Sequence, residues 1–457
     1  MRVCHTLQPV FDDPNLVAFG GLPAVMRLAE QAGLYELVEQ HVTVPGTAGA
    51  NAPVKVSALI AGMVVGADSI SDLDVLRHGG MGRVFDGLRA ATTLGTHLRA
   101  YRFGHVRQLD AVASRLLIKL AGLSPILDGA DQLTFVDVDD TIRETHGYRK
   151  QGAAYGYSRV KGLNAILATI STPIAAPVIA ATRLRKGNVS SARGAARLIG
   201  DTLATLRRAT TPSLVIVRAD SAYFNHATIA AITVGGARFS ITARMNQAVT
   251  RTIATIDEAA WTTIRYPQAI YDEAQQVWIS DAEVAEVPFT AFTSRRKADH
   301  VTARLVVRRV RRLNPNAKAQ GELLPGYRYH AVFTNSTFAL VDAEACHRDH
   351  AVIEGIFADL KDGPLAHAPS GKFMANSAWL ALTAMAFNLT RAAARIASKT
   401  LGRARTSTVR RTLIQVAARI ANQARTWLLH LPRNWPWEPQ LATLYNAAFG
   451  PPAAASP

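Results

Sequence analysis

The chain has 457 residues, which is enough for two or three domains and a substantial hydrophobic core. Hydrophobic residues make up 49% of it and charged residues 19%, a composition typical of a globular protein that excludes a disordered or fibrous one. The net charge of +17 favours a polyanionic partner, usually nucleic acid, although a basic but otherwise ordinary enzyme carries the same signal.

Cysteine usage and apolar runs indicate a cytoplasmic protein. The only cysteines, Cys4 and Cys346, have no metal-type spacing, so neither a disulfide framework nor a zinc site is expected. The first residues lack the apolar core of a signal peptide. The longest uncharged run, 163–182, contains Pro173 and Pro177, which argues against a membrane helix and favours a β-hairpin.

Residues 1–125 are predicted to be mainly helical, because apolar residues recur there with a 3.6-residue period. Within this region the stretch 98–107 mixes arginines with aromatic residues, which suits contacts to a nucleic-acid backbone. We therefore predict a helical N-terminal DNA-binding region. Ordinary helical packing is the alternative explanation of the same residues.

Residues 126–243 are predicted to form the first part of a catalytic core. Three consecutive strands come first, and the first of them, 135–141, carries a cluster of aspartates. The later elements are a helix capped by Asn188 or Ser190 and ending near Arg208, a buried strand at 214–217 that leads to Asp220, a short helix at 227–234 and a strand at 238–243. The order β-β-β-α-β-α is what a ribonuclease-H-like mixed sheet requires.

The remainder is predicted to comprise three parts. They are a β-rich insertion (244–330), the second part of the core (331–400), and a basic helical C-terminal region with a disordered tail (401–457). Helices with one basic face are predicted at 381–395 and 410–429, since no acidic residue occurs between Asp362 and Glu438. Such a surface either binds DNA without regard to sequence or is only a solvated face.

One long helix, predicted over 346–363, organises the core. Ile353, Ile356, Phe357 and Leu360 recur at helical spacing, so one face of it is expected to be buried. A second face is expected to carry an acidic residue between basic ones, at offsets 0, 3, 7 and 14. These residues are His347, His350, Glu354 and Lys361.

The carboxylates suggest metal chemistry. Asp139, Asp220 and Glu354 lie on separate elements, and three such side chains can hold two divalent ions about 4 Å apart for phosphoryl transfer. Oxygen ligands favour Mg²⁺, with Mn²⁺ as a substitute. Asp137 alternates onto the same strand face as Asp139, so the residues alone leave both open as the first ligand.

These motifs resemble the DDE transposases of bacterial insertion sequences. The resemblance rests on the stretches 137–141 and 218–223, with Glu354 seven residues before Lys361, and the "IS thirteen-eighty" family is the closest group. It implies a ribonuclease-H-like fold with Asp139, Asp220 and Glu354 as ligands of two Mg²⁺ ions. The family's Asp-x-Thr pattern selects Asp139 over Asp137.

The same resemblance implies a reaction and partners. The reaction is DNA strand hydrolysis at the terminal inverted repeats, followed by attack of the freed 3′-hydroxyl on target DNA. The partners are double-stranded DNA and a second copy of the chain, and the location is the bacterial cytoplasm, associated with the nucleoid. Tyr223, just after Asp220, either contacts the scissile strand or packs against the strand end.

The chain departs from the family signature around the glutamate. His347 and His350 stand where the pattern has tyrosine and arginine, although Arg348 is adjacent and Lys361 is present. Arginine binds phosphate bidentately and stays charged, whereas histidine is mostly neutral near pH 7. Either the histidines hold phosphate less tightly, or Arg348 substitutes, or this copy is impaired.

Further DNA contacts are predicted from basic residues in turns. The segment 148–161 combines tyrosines, glycines and basic residues in a turn able to touch phosphates and stack on bases, with a solvated loop as the alternative. The residues predicted to bind DNA are Arg149, Lys150, Arg159, Lys161, Arg295, Arg296, Lys297 and Lys361.

Two other functions compete with transposition. A metal-dependent nuclease of the same fold would cut without joining and would not need the basic insertion and tail. A catalytically silent, transposase-derived DNA-binding protein is disfavoured by the intact carboxylates, which repel one another when clustered. Inverted repeats flanking the gene would distinguish the first function from both alternatives.

Overall fold

The computed structural model describes residues 1–146, 149–264, 271–272, 277–278, 282–311, 327–423 and 426–451. Several predicted features lie wholly or partly outside these residues: Gly147 and Tyr148, much of 265–281, the stretch 312–326, and the tail from 452. The helices of the described residues are α1 Leu22–Gln31, α2 Leu34–His41, α3 Gly46–Gly49, α4 Ala52–Val65, α5 Met81–Val84, α6 Ala91–Arg99, α7 Phe103–Leu123, α8 Ala195–Ala209, α9 His226–Val234, α10 Gln247–Ile253, α11 Leu340–Arg348, α12 Val352–Lys361, α13 Phe373–Ala397, α14 Thr406–Val409 and α15 Glu438–Phe449.

The strands complete a mixed α/β architecture. They are β1 Leu16–Val17, β2 Leu133–Glu144, β3 Ala154–Tyr155, β4 Lys161–Ser171, β5 Val178–Lys186, β6 Leu214–Ala219, β7 Arg238–Thr242, β8 Thr262–Ile264, β9 Tyr271–Asp272, β10 Val277–Trp278, β11 Ala282–Ala291, β12 Val301–Arg311, β13 Tyr327–Thr334, β14 Ala418–Gln423 and β15 Thr426–His430. The chain divides into two compact units. We call residues 1–126, 147–151 and 359–457 the helical unit, and residues 127–146 and 152–358 the sheet unit.

The helical unit is built around α13. This 25-residue helix is buried on every face for most of its length, and α1, α4, α6, α7 and α15 pack against it. Its alanine-rich sequence allows neighbouring helices to approach closely from several directions. The helical character predicted for residues 1–125 is confirmed, apart from the two-residue strand β1.

The predicted basic face of α13 is wrong at Arg391. This side chain is buried and donates hydrogen bonds to the carbonyl oxygens of Gly402 (2.8 Å) and Ala404 (2.7 Å). Arginine is tolerated inside the unit because its planar guanidinium satisfies carbonyls that a tight turn leaves unpaired. None of the helices in the described ranges is long and apolar enough to cross a membrane.

The helix predicted over 410–429 is also wrong. A short π-helical turn, Arg410–Ile414, is followed by the antiparallel strands β14 and β15, and β14 also pairs with β1. Ala418 and Ile420 are buried while Arg419 between them is exposed. This two-residue alternation is that of a strand with one solvated face, and the spacing of basic residues obscured it.

The sheet unit contains one large mixed sheet. Its strand order is β3-β4-β2-β6-β7-β13-β12-β11-β8, and β5 pairs with β4. β2 runs antiparallel to β4 and parallel to β6, and β6 runs parallel to β7. The predicted order of strands and helices through β7 is confirmed apart from the two-residue strand β3, which lies in the predicted turn, and a mixed sheet flanked by helices is compatible with a ribonuclease-H-like transposase.

Two local predictions in this unit have opposite outcomes. The predicted hairpin is confirmed by the antiparallel pairing of β4 with β5. The helix predicted to be capped by Asn188 or Ser190 instead begins at Ala195, after Gly194 in a left-handed conformation with φ 82°. Glycine adopts such a φ without strain, so the chain can turn there without a side-chain cap.

The predicted β-rich segment continues the same sheet. β13 pairs antiparallel with β7, and β12 and β11 follow. Three arginines of β12 that gave this segment its basic appearance are paired with glutamates inside the unit. The pairs are Arg304 with Glu286, Arg308 with Glu344, and Arg309 with both Glu258 and Glu283.

The long helix predicted over 346–363 is interrupted. α11 begins six residues earlier than predicted, and a 3₁₀ turn at 349–351 separates it from α12. A 3₁₀ turn advances about 120° per residue instead of 100°, so side chains on its two sides no longer share one face. His347 is accordingly nearly buried against the sheet, whereas Glu354 is exposed, and the predicted common face is wrong.

Candidate active site

Asp139 and Asp220 meet where two parallel strands end their pairing. Asp137 and Arg218 are direct partners in the β2–β6 ladder, and each of the two aspartates lies two residues further along its strand direction. Asp220 directly follows β6 and caps a 3₁₀ turn, accepting a hydrogen bond from the Ala222 amide at 2.9 Å. Neighbouring parallel strands therefore deliver both carboxylates to one edge of the sheet.

The electrostatics of this pair are unfavourable without a cation. Burial, together with the negative charges of Asp220 and Asp140, raises the pKa of Asp139 to about 7. Burial and the charge of Asp140 also raise the pKa of Asp220. Within the described part of the chain, neither Asp139 nor Asp220 forms an ion pair with a lysine or arginine. The half-buried Asp139 and the more exposed Asp220 are therefore stabilised in their ionised forms when a positive charge approaches.

Asp137, the competing first ligand, is already neutralised. Both its oxygens accept hydrogen bonds from Arg218 at 2.7 Å, and Nδ1 of His350 lies 3.0 Å from Oδ1. Burial alone raises its pKa, but the bonds from His350 and Arg218 outweigh this and lower the pKa of Asp137. Its side chain is fully buried, so the structure gives it a role in packing and charge balance.

Asp140 is neutralised as well, on the other side of β2. Arg185 pairs with it at 2.6 Å, Asn164 donates to the same oxygen, and the Tyr223 hydroxyl donates to the other oxygen at 3.2 Å. Tyr223 is fully buried, and burial with the nearby carboxylates raises its pKa. Of the two interpretations offered by the sequence, packing at the strand end is therefore the one that the structure favours.

The two histidines of the signature have different surroundings. His347 is buried between the hydroxyls of Ser240 (3.0 Å) and Thr242 (2.9 Å), and burial lowers its pKa to about 3, so it is neutral. His350 lies beside Asp137, with its ring 6.3 Å from that of His347. Arg348 is half-exposed and lies 3.8 Å from Glu344. A neutral His347 with both nitrogens engaged does not resemble a phosphate ligand.

Glu354 lies on α12, one helical turn after His350, and its side chain is exposed. Lys361 is the last residue of the same helix. No cluster of three or more His, Cys, Asp or Glu side chains with metal-ligand spacing occurs among the described residues. The structure thus brings Asp139 and Asp220 together but leaves Glu354 outside that pair.

The pair fits a divalent metal in part. Asp139 and Asp220, which pair with no lysine or arginine in the described ranges, supply the hard oxygen ligands that Mg²⁺ and Mn²⁺ prefer. Asp139 and Asp220 would hold such an ion. The third ligand proposed from the sequence, Glu354, would have to join them from the helix that begins next to His350.

The predicted DNA-binding residues are distributed over several surfaces. Arg149 and Arg159 are exposed, Lys161 is half-buried, and Lys150 donates a hydrogen bond to the Ala368 carbonyl. The exposed triplet Arg295, Arg296 and Lys297 lies in the turn between β11 and β12. This turn presents three cations together.

Four residues near the carboxylates were not assigned a role from the sequence. Arg185 and Asn164 balance Asp140, and no local pattern identifies them because they are contributed by neighbouring strands. Arg244 is exposed, and its guanidinium donates to the carbonyl of Ser221 at 3.0 Å, directly beside Asp220. A charged Arg218 inside an apolar strand was the one available signal, since a buried charge requires a partner.

Comparison with known families identifies the chain. The family model described as "Transposase DDE domain group 1" matches residues 5–448. The chain belongs to this family. No curated protein shows significant similarity to it.

Membership of the DDE transposase family supports a role in DNA transposition and recombination as part of a mobile element. The family implies DNA binding and generally uses divalent metal ions. In this DDE transposase the other two aspartates of β2 have arginine partners, whereas Asp139 and Asp220 pair with no lysine or arginine in the part of the chain that the structure describes.

Proposed function

We propose that this chain is the transposase of an insertion sequence similar to the "IS thirteen-eighty" group, with a ribonuclease-H-like core. It cleaves DNA strands at the terminal inverted repeats and then joins the freed 3′-hydroxyl to target DNA in a cut-and-paste reaction. The observation that carries the proposal is the pair Asp139–Asp220, a half-buried and an exposed carboxylate at the ends of neighbouring parallel strands, both with raised pKa values and neither paired with a lysine or arginine among the described residues.

Asp139, Asp220 and Glu354 are the proposed ligands of two Mg²⁺ ions. When bound, such ions activate the attacking oxygen and stabilise the leaving oxygen of phosphoryl transfer. The residues around them fix the pair: Arg218 holds Asp137 and Arg185 holds Asp140, so the two strands present Asp139 and Asp220 without competition from neighbouring carboxylates. Asp137 is a supporting residue in this proposal and not a ligand.

The positive charges of the chain are proposed to hold the DNA. The turn 295–297 and the arginines at 149 and 159 are exposed, so they can contact backbone phosphates without reading sequence. Arg244, next to the turn after Asp220, is a further candidate for a phosphate near the site of cleavage. Because two transposon ends must be brought together, we expect the active form to be a homodimer on DNA.

Two alternatives remain distinguishable. A nuclease of the same fold would cut at the repeat boundary but would not join the 3′-end to a second DNA. A silent DNA-binding descendant has no use for Asp139 and Asp220, whose ionised forms are disfavoured by desolvation and by the nearby charge of Asp140 unless a cation binds. The raised pKa of both groups therefore favours the active enzyme.

The proposal is tested by strand cleavage of a DNA fragment carrying the element's end. Wild type and the variants Glu354→Gln and Asp139→Asn are compared with Mg²⁺, and Asp342→Asn, an exposed carboxylate on α11, is the matched control. We expect wild type and the control to nick at the repeat boundary, and the other two variants to bind without cutting. Cleavage by Glu354→Gln at the wild-type rate would show that Glu354 is not a ligand of the site. Joined products in a target-DNA assay would distinguish a transposase from a nuclease.

A further inference from the structure

One buried side chain connects the two strands that lead to Asp139 and Asp220 with α11, the helix that precedes the one carrying Glu354. Arg218 is 2% exposed and lies on β6, two residues before Asp220. It is bonded to Asp137 on β2 and to a backbone carbonyl of α11. We propose that Arg218 is a positioning residue that sets the geometry of the metal site. This inference rests on the proposed function.

The first connection fixes the register of the two strands. Asp137 and Arg218 are opposite each other in the parallel ladder, and Nε and Nη2 of the arginine donate to Oδ1 and Oδ2 of the aspartate, both at 2.7 Å. Residues two apart on a strand point to the same face. The bidentate pair therefore determines where Asp139 and Asp220 stand relative to each other.

The second connection attaches the helix. Nη1 of Arg218 donates to the carbonyl oxygen of Cys346 at 2.7 Å. One turn later His350 bonds to Asp137, so the end of α11 and the following turn are held at two points by the same ion pair. Glu354 lies four residues beyond His350 on α12. A shift of this pair would thus move the strand ligands and the start of the glutamate helix together.

Arginine is required because all three of its nitrogens are used. The Phe135 ring lies 4.2 Å from the guanidinium carbon and supports its flat face. A lysine at this position keeps the charge opposite Asp137 but, as a single point donor, cannot make the two parallel bonds and the bond to Cys346 at once. Arg218→Lys therefore tests the loss of the bonding geometry while the positive charge is retained.

The chain provides a matched control in Arg309. This arginine is also buried, also bonded to two acceptors, Glu258 and Glu283, and lies over the Trp261 ring at 4.2 Å. It belongs to β12, and its partners include none of the proposed ligands. Arg309→Lys is expected to cost similar stability without affecting the metal site.

The experiment measures Mn²⁺ binding by calorimetry, Mg²⁺-dependent strand cleavage and thermal unfolding for three full-length variants. They are Arg218→Lys, Arg309→Lys and the charge-free double variant Asp137→Leu/Arg218→Met. We expect Arg218→Lys to lose about 10- to 100-fold in Mn²⁺ affinity and in kcat, with KM for DNA unchanged, whereas Arg309→Lys stays within about threefold of wild type.

The double variant distinguishes positioning from mere stability. Replacing a buried ion pair by apolar residues often restores stability, so we expect its melting temperature to exceed that of Arg218→Lys while Mn²⁺ binding stays weak. Wild-type Mn²⁺ affinity in the double variant, or equal losses in Arg218→Lys and Arg309→Lys, would overturn the proposal, as would a wild type that binds no Mn²⁺. If wild type binds Mn²⁺ but does not cut DNA, the proposed function fails while the role of Arg218 is still decided by the binding comparison.

Discussion

Two isosteric substitutions on the same strand are expected to change stability in opposite directions. Asp139→Asn removes a carboxylate that the fold disfavours, whereas Asp137→Asn removes the counter-charge of a buried arginine. The two residues are two positions apart and share one strand face. Because the two side chains are equal in size and lie on the same face, a difference between their effects on the free energy of unfolding reports their electrostatic surroundings.

The magnitude for Asp139 follows from its pKa, which rises from 3.8 to about 7 on folding. The folded state binds the proton more tightly than the unfolded state, so wild-type stability falls as the pH rises from about 4 to about 7. Each pKa unit equals about 1.4 kcal/mol, which sets an upper limit of about 4 kcal/mol above pH 7. Because the side chain is only partly buried, we expect Asp139→Asn to gain about 2 to 4 kcal/mol at pH 8 without metal.

Asp137→Asn is expected to lower the free energy of unfolding. Breaking a buried ion pair by removing one partner typically costs about 3 to 5 kcal/mol, because the remaining charge is left uncompensated. Arg218 is in that position after Asp137→Asn, although His350 and the Cys346 carbonyl remain near it.

Denaturant unfolding of the apo proteins in EDTA, from pH 4 to pH 8, checks both expectations. The gain from Asp139→Asn should shrink toward zero as the pH falls to about 4, and the loss from Asp137→Asn should persist near neutral pH. Adding Mg²⁺ should stabilise wild type but not Asp139→Asn. If Asp139→Asn destabilises the protein at pH 8, or if Asp137→Asn has no cost, the assignment of these two carboxylates is wrong.

Three further predictions concern the surroundings of the pair. Alanine at all three positions of the turn 295–297 should weaken DNA binding for every sequence tested and reduce the slope of log K against log salt by up to about three, measured by fluorescence anisotropy; an unchanged slope would remove the turn from the interface. Arg244→Ala should leave the unfolding free energy within about 0.5 kcal/mol, since the side chain is exposed, yet slow cleavage; a wild-type cleavage rate would exclude a contact near Asp220. Because the pKa of His347 is lowered on folding, its contribution to the free energy of unfolding is complete above about pH 6.5 and is lost as the pH falls below that value. In His347→Gln, the free energy of unfolding should therefore decrease less between pH 7.5 and pH 5 than in wild type. An equal decrease in both proteins would contradict a buried neutral ring.

The order of secondary structure in the core was predictable because its signals are local. β4 is buried along nearly its whole length and reads as a continuous apolar run, and β6 does the same on a shorter scale. The hairpin of β4 and β5 was predictable from the turn between two such runs. Where the prediction failed, at β14 and β15, a two-residue alternation was mistaken for a helix with a basic face.

The candidate site was predictable only to the level of residue type. Strand ends and spacing indicated Asp137, Asp139, Asp220 and Glu354 as candidate ligands, and family resemblance favoured Asp139 over Asp137. The structure offers an independent physical reason that agrees with that selection, because Arg218 occupies Asp137 while no lysine or arginine among the described residues pairs with Asp139. The ligand roles themselves stay predictions.

The sequence by itself determined the apolar periods, the excess of positive charge and, through its match to a family model, membership of a transposase family. Only the tertiary structure decided which carboxylates are neutralised, since Arg218 reaches Asp137 across 81 positions and Arg185 reaches Asp140 across 45. It also decided that α11 and α12 are separate helices, which places His347 against the sheet and Glu354 in solvent. The physical reason is that the free energy of a charge depends on the partners and the solvent around it, and folding brings those partners from distant parts of the chain.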